Sequence, residues 1–375
     1  MEKIINFIIG IYIFGMYFFS NREGYTYITN SVGMVLVAMI LLKFLLKKEN
    51  IRISKAHKHI FLFMIIIILS YFISIDPNNT LITIKTITLN IIMILVLYQY
   101  LDNLDKIRSV LKFLVFSGFI VTLNMLTELK KVEYYTRIGS ELGNVNRIGV
   151  LLIISLAISL YIGTSEKKLI YICMSLVIFI GVLLTGSKTA FLGVLLTIIL
   201  FIINSNMDIK RKISLSILAI IGIIFIIFLI MNNEIFYSIL GRRIEKSLGI
   251  NGMTVDDSTI IRYQMLVDGI NFFEKNPILG NGLDSYRILS QYATYSHNNF
   301  IELLVGIGIV GFISYYKMFY LAYSFRNKTQ YSNLFNTLII VFFVLSISSV
   351  QYLQKYMYLI ILLGMSNQTI HSNRR

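Results

Sequence analysis

The chain reads as an all-α integral membrane protein of about twelve transmembrane helices, with one long loop between the ninth and tenth. Three observations predict this. Of its 375 residues, 56% are hydrophobic and only 14% are charged, where soluble domains carry roughly a quarter charged residues. The mean hydropathy of +0.75 is too apolar for a water-facing surface. The apolar residues also come in repeated blocks of near-spanning length, and lipid tolerates only segments that satisfy their own backbone hydrogen bonds, hence helices.

The blocks fall at 4–20, 27–46, 60–75, 81–100, 110–127, 148–163, 168–186, 189–204, 213–231, 298–322, 334–350 and 352–367. Several are shorter than the roughly 20 residues of a straight crossing, notably the eighth and the last. The last contains Gln354 and Lys355, so eleven spans plus a re-entrant piece is an alternative. The first block follows Lys3 and runs apolar to Phe19, and no small-residue cleavage site follows it, so it is expected to stay as a span. The organisation expected is a single polytopic domain, 1–375, with residues 232–297 as its one long extramembrane segment.

The net charge of +15 would suggest nucleic acid in a soluble protein. Here it fits the positive-inside bias, and no run resembles a nucleic-acid-binding module. With the N-terminus inside, the 43–59 linker contributes Lys43, Lys47, Lys48, Arg52, Lys55 and Lys58 to the inner side. Lys106, Arg108, Lys112, Lys167, Lys168, Lys210, Arg211, Lys212, Arg326, Lys328, Arg374 and Arg375 fall there too, whereas the loops at 21–26 and 76–80 hold only Arg22. The single cysteine, Cys173, lies in an apolar block without metal-ligand company.

The same orientation leaves several cations on the outer side, where the bias disfavours them. Lys85 lies about 8 Å inside the fourth span at helical rise. Arg137 and Arg147 flank the loop before the sixth span, and Lys188 sits in the turn between the seventh and eighth. Arg242, Arg243, Lys246, Arg262, Lys275 and Arg287 lie in the 232–297 loop. Each could snorkel or pair with a nearby carboxylate. Gathered from distant parts of the chain to one depth, they point instead to an anion. A pyrophosphate at headgroup level fits, because Arg grips phosphate bidentately and Lys acts as a point charge.

Within the long loop, Asp257-Ser258 looks like a helix start. Ile261, Met265, Val267, Ile270 and Phe273 interleave with Arg262, Asp268 and Glu274, the pattern of an amphipathic helix at a membrane interface. It ends near Asn276-Pro277, and Gly280-Asn281-Gly282 follows as a turn; a lone G-x-G says nothing about nucleotides. Ser296-His297-Asn298-Asn299 then opens the tenth block. An imidazole suits a general base near neutral pH; the alternative is a histidine hydrogen-bonded at a helix start. Glu302, one turn on, is either paired with a cation or functional. His57, His59 and His371 read as solvated, and the His57/His59 pair is too few ligands for a metal.

These residues resemble a known signature. Asn276-Pro277-Ile278-Leu279-Gly280-Asn281-Gly282, then Tyr286, His297-Asn298-Asn299-Phe300-Ile301-Glu302, and Gly306-x-Gly308-x-x-Gly311-Phe312 are similar to the P-x-x-G-x-G, H-N-x-x-L-E and G-x-x-G elements of the O-antigen ligase and polysaccharide polymerase superfamily. Arg262, Thr185-Gly186-Ser187-Lys188 and Arg137 with Gly143-Asn144-Val145-Asn146 resemble three further family features. Lys188 replaces the family's usual arginine, which keeps charge but loses the bidentate fork, and Lys85 matches a basic position only loosely.

The resemblance implies a GT-C-like membrane glycosyltransferase. Such an enzyme moves glycan from undecaprenyl pyrophosphate to an acceptor hydroxyl on the outer face of the bacterial inner membrane, without metal or cofactor. It implies His297 as catalytic residue within a 232–297 catalytic loop. It further implies Arg137, Lys188 and Arg262, with Lys85 and Arg147, at the pyrophosphate, and Asn298, Glu302, Gly280, Gly282 and Tyr286 in support. The expected partners are the lipid-linked oligosaccharide, membrane lipid, and a flippase and chain-length regulator, with no nucleic acid. The Ile-, Lys- and Asn-rich composition hints at a Gram-positive source without lipid A core, which favours a capsular or other surface polysaccharide polymerase over a ligase. A lipid-linked sugar transporter is the alternative of a different class; transporters place ionisable residues near the midplane rather than at one face.

Overall fold

A computed structural model describes the chain apart from residues 49, 130–136, 206, 251–256, 326–328 and 373–375. Arg326, Lys328, Arg374 and Arg375 of the expected inner charge set lie outside the described residues, as does the side chain of His371. Among the described residues there are helices and no strands. In order they are α1 Glu2–Phe18, α2 Thr26–Lys47, α3 Lys55–Leu69, α4 Pro77–Tyr100, α5 Leu104–Glu128, α6 Val145–Ser165, α7 Leu169–Leu184, α8 Lys188–Asn204, α9 Ile209–Asn232, α10 Glu234–Phe236, α11 Arg242–Leu248, α12 Asp257–Lys275, α13 Tyr286–Leu289, α14 Asn299–Ala322, α15 Ser332–Leu345 and α16 Lys355–Ser372. Each of the twelve expected blocks falls on a helix. Six of these, α2, α4, α5, α6, α9 and α14, are long and apolar enough by themselves to cross a bilayer. The chain is a multi-pass membrane protein.

Short polar side chains start the helices by accepting the N–H groups that the first turn leaves free. Asp76 accepts from Asn79 ahead of α4, with Pro77 at the first helical position; Asn103 accepts from Lys106, and Ser187 from Ala190. Asn144 and Asn298 each accept two N–H groups, at α6 and α14.

The chain divides into two compact units, Met1–Lys43 with Asn103–Thr254, and Phe44–Asp102 with Val255–Arg375. In the first, α6 packs against α5, α7 and α8, and α5 against α1. Ile148 to Ser159 of α6 are all buried, as befits a helix apolar all round. α9 leans on α8 and has only Ile230 buried. In the second, α14 packs against α3, α12 and α16, and α16 against α4 and α15.

Three expectations about the basic linker are corrected. Lys43 is not linker but part of α2, 1% exposed, with its ammonium 3.3 Å from Glu2. His57 is not solvated but 7% exposed. It lies in the first turn of α3, where its Nδ1 accepts the Ser54 N–H at 3.1 Å and its ring meets Tyr98 edge-on at 4.5 Å. The imidazole here does what glutamate does in a capping box. His59 is half-buried, and its Nε2 lies 2.9 Å from the Ser314 carbonyl.

Candidate active site

The reading of 298–322 as one unbroken span gives way at Ile307 and Gly308, which leave helical geometry (φ −128°, ψ 15° and φ 61°, ψ −170°). The break is sharp. The Asn299 side-chain amide donates to the Tyr316 hydroxyl at 2.9 Å, and the Phe300 ring lies 5.8 Å from Phe312 and 5.1 Å from Tyr316. In a straight helix seventeen residues would span about 25 Å. Residues 299–306 therefore form a short helix folded back along the second piece, 309–322. His297 stands at the start of this short helix, level with Tyr316 rather than with the turn at Gly308.

A break inside an apolar helix frees backbone groups that lipid cannot satisfy. The 277–282 segment satisfies them. The Asn281 and Gly282 N–H groups donate to the carbonyls of Val305 and Gly306 at 2.9 Å each, and those of Ile309 and Val310 donate to Pro277 and Ile278 at 2.9 and 3.4 Å. Glycine is required at both crossings. A Cβ on Gly280 would lie 2.6 Å from Gly306 backbone, and one on Gly308 2.2 Å from the Ile278 carbonyl. Gly282 sits against Ser74, and the strap continues into the α3–α4 connection through Ile75 N–H to Asn281 O (3.1 Å) and Thr80 Oγ1 to Leu283 O (2.7 Å).

His297 adopts a left-handed backbone, φ 59°. Glu302, 2% exposed, accepts the Ser296 N–H, while Ser296 Oγ donates to Asn298 O at 2.9 Å. Asn298 Oδ1 accepts the N–H groups of Phe300 and Ile301 at 2.9 and 3.2 Å. The histidine ring is half-buried and packs on Tyr295 at 4.5 Å. Burial, and then the Arg262 guanidinium, hold its pKa down to about 4. The imidazole is thus uncharged at neutral pH and free to accept a proton.

Arg262 is half-buried on α12. It shares a stripe with Met265, Leu266, Gly269, Phe272 and Phe273, the side that is buried or half-buried, while Ile261 and Ile270 are exposed. Tyr286 ties α12 down: its hydroxyl donates to Met265 O at 2.8 Å, and its ring packs with Met265, Ile301 and Val305. Arg287 is paired with Asp284 at 2.9 Å. Lys85 is exposed on α4, away from the buried Thr83, Ile84 and Ile87.

The other cations belong to the first unit. Arg137 gathers two sequence-distant stretches there: its Nε donates to Thr185 O at 2.7 Å and its terminal nitrogen to Asn146 Oδ1 at 2.7 Å. Lys188, half-buried at the first position of α8, bonds Ser247 Oγ. Arg147 is half-buried in the first turn of α6. Cations at helix N-termini oppose the helix dipole, an arrangement that an anion relieves.

Sequence reasoning missed Asn299 and Asp284. Asn299 is fully buried and bonded to residues far along the chain; Asp284 could have been suspected only as the carboxylate nearest Arg287. Among the described residues, no three His, Cys, Asp or Glu side chains come together as a metal site.

No curated protein matches the chain. Residues 172–316 match the family model described as O-Antigen ligase. Arg137, Arg147 and Lys85 fall outside that stretch. Members of this family are glycan-processing membrane enzymes that act on lipid-linked glycans. The Thr185–Lys188 turn, Arg262, the glycine strap, His297 and the α14 break all lie inside the matched residues, the stretch in which the chain is similar to the O-antigen ligase family.

Proposed function

We propose that the protein is a surface-polysaccharide polymerase: it transfers glycan from undecaprenyl pyrophosphate to a hydroxyl of a lipid-linked repeat unit, at the outer face of the inner membrane. The observation that carries this reading is geometric: His297 is held in a left-handed turn at the start of a folded-back helix, inside the residues that match the O-antigen ligase family model. In the reaction the acceptor oxygen bonds to the anomeric carbon, and the proton passes to the His297 imidazole. The bond from that carbon to the pyrophosphate breaks, and the lipid pyrophosphate leaves with the electron pair. One displacement inverts the anomeric configuration. Arg262, Arg137 and Lys188 neutralise the departing pyrophosphate, with Arg147 and Lys85 as further cations, so the step needs no metal. Asn298 and Glu302 hold the histidine turn, and Gly280, Gly282 and Tyr286 hold the strap and α12 behind it. A flippase supplying the substrate and a chain-length regulator are the partners this chemistry calls for.

The description of the matching family favours a second reading, a ligase that moves finished polymer to another acceptor. One experiment separates them. Purified protein is incubated with the lipid-linked oligosaccharide that accumulates in cells lacking it. A ladder of longer lipid-linked glycans is the outcome expected of a polymerase. Transfer only when a second acceptor is added identifies a ligase, and unchanged substrate in both cases overturns the two together.

A further inference from the structure

Asn299 occupies a position that the H-N-x-x-L-E signature leaves open, yet it is 0% exposed and makes four hydrogen bonds. Its backbone N–H donates to Ser346 O at 2.8 Å. Its Oδ1 accepts the N–H groups of Gln351 at 2.8 Å and Tyr352 at 2.9 Å, and its Nδ2 donates to the Tyr316 hydroxyl at 2.9 Å. The two accepted N–H groups leave no doubt which end of the amide is oxygen. These bonds join the first residue of the short helix to the second piece of α14, to the end of α15 and to the α15–α16 connection.

The other bonds around His297 have a different reach. Glu302 to Ser296, and Asn298 to Phe300 and Ile301, are internal to the short helix and its turn; they move with it. The strap grips the opposite end, at Val305 and Gly306. At the histidine end, Asn299 bonds the short helix to chain far away in sequence. Any shift of its side chain is passed on to a residue two positions away.

We propose that Asn299 is a positioning residue of the transfer reaction, setting the depth and heading of the short helix so that the His297 imidazole meets the acceptor hydroxyl. The proposal rests on the reading of His297 as the base. Misplacement of a reacting group by about 1 Å costs on the order of 100-fold in rate. The effect should fall on turnover, because Asn299 contacts scaffold and not the donor's phosphates.

The test uses Asn299→Leu, Tyr316→Phe and His297→Gln, purified in lipid nanodiscs. Turnover and KM for the accumulated lipid-linked oligosaccharide are measured beside a thermal unfolding curve. We expect Asn299→Leu to lose about 100-fold in kcat with KM unchanged, and Tyr316→Phe, which removes one bond and keeps the ring, to show a smaller loss in the same parameter. Folded variants that turn over at the wild-type kcat overturn the proposal. Should Asn299→Leu fail to fold, Tyr316→Phe decides: reduced kcat supports the proposal and wild-type kcat overturns it. Near-normal turnover in His297→Gln removes the base reading and this proposal with it, whereas an inactive His297→Gln beside a fully active Asn299→Leu removes this proposal alone.

Discussion

The backbone N–H of Ile309 donates to the carbonyl of Pro277 at 2.9 Å, so a loop completes the hydrogen bonding that α14 abandons at its break. The P-x-x-G-x-G element at Pro277–Gly282 and the Gly306-x-Gly308 stretch of α14 are thus two halves of one device. One opens a helix, and the other supplies the donors and acceptors that the opening requires. What the device achieves is the folded-back short helix on which His297 stands.

Gly308 is the residue on which this device most depends. Its φ of 61° and ψ of −170° lie where essentially only glycine is found, and an added Cβ would stand 2.2 Å from the Ile278 carbonyl. Gly308→Ala is expected to destabilise the fold by at least about 1–3 kcal/mol, read as a lowered unfolding midpoint in detergent. Gly222→Ala in α9, where a Cβ meets nothing within 4 Å, is expected to be neutral or to stabilise by up to about 1 kcal/mol. Equal midpoints for Gly308→Ala and wild type would contradict the interlock.

The pH dependence follows from the environment of His297. The base must be unprotonated, so activity is lost as pH falls through its pKa in the folded protein. That pKa is held down to about 4 by burial first and by Arg262 second. The acid limb of kcat/KM is therefore expected near pH 4, well below the ordinary imidazole range, with a flat profile from there towards neutrality. Removing the cation removes one of the two lowering causes. Residual activity of Arg262→Gln is thus expected to show its acid limb at higher pH. An unmoved limb in that variant would mean that Arg262 does not act on the base.

Much of this was legible in the sequence, and the parts that were not share a cause. The start of α14 at Asn298 and the extent of α12 rest on local chemistry, and local chemistry reads well from one sequence, whereas α4 begins at Pro77, inside the 76–80 stretch expected as loop. The break at Ile307–Gly308 did not, because residues 299–322 together have the apolarity of a plain span and nothing local says that Pro277 and Ile278 stand ready to bond there. Asn299 was illegible for the same reason: its partners are Tyr316, Ser346, Gln351 and Tyr352. His57 was a different case. Ser54-x-x-His57 has the spacing of a capping box, and only the expectation of glutamate or glutamine at its end hid it.

Arg137 and Lys188 are expected to respond differently to conservative change. Arg137 reaches Thr185 O and Asn146 Oδ1 with two separate nitrogens, a fork that lysine cannot reproduce. Arg137→Lys is expected to lose activity although charge is kept. Lys188 contributes a single nitrogen, placed on Ser247, so Lys188→Arg should be tolerated better than Lys188→Ala. The measurement is polymer yield per folded molecule. Wild-type yield from both Lys188→Ala and Arg262→Ala would remove these cations from the pyrophosphate.

The sharpest expectation concerns His297 itself. A sugar hydroxyl is a poor nucleophile at neutral pH, and removing the general base that takes its proton costs roughly 10²–10⁴-fold in rate. His297→Ala should approach inactivity. His297→Gln should be nearly as poor, because an amide can hydrogen-bond to the acceptor but cannot keep its proton. The left-handed backbone at this position also disfavours most replacements, so each variant needs an unfolding curve to show that the turn survives. The Ser296–Glu302 and Asn298 bonds do not involve the imidazole and should hold it in place. The assay is run on the lipid-linked oligosaccharide with chelator present. A folded His297→Gln enzyme working at near-normal rate would reduce the residue to a structural one. Loss of wild-type activity to chelator would mean that a metal ion, and not Arg262, Arg137 and Lys188 alone, neutralises the departing pyrophosphate.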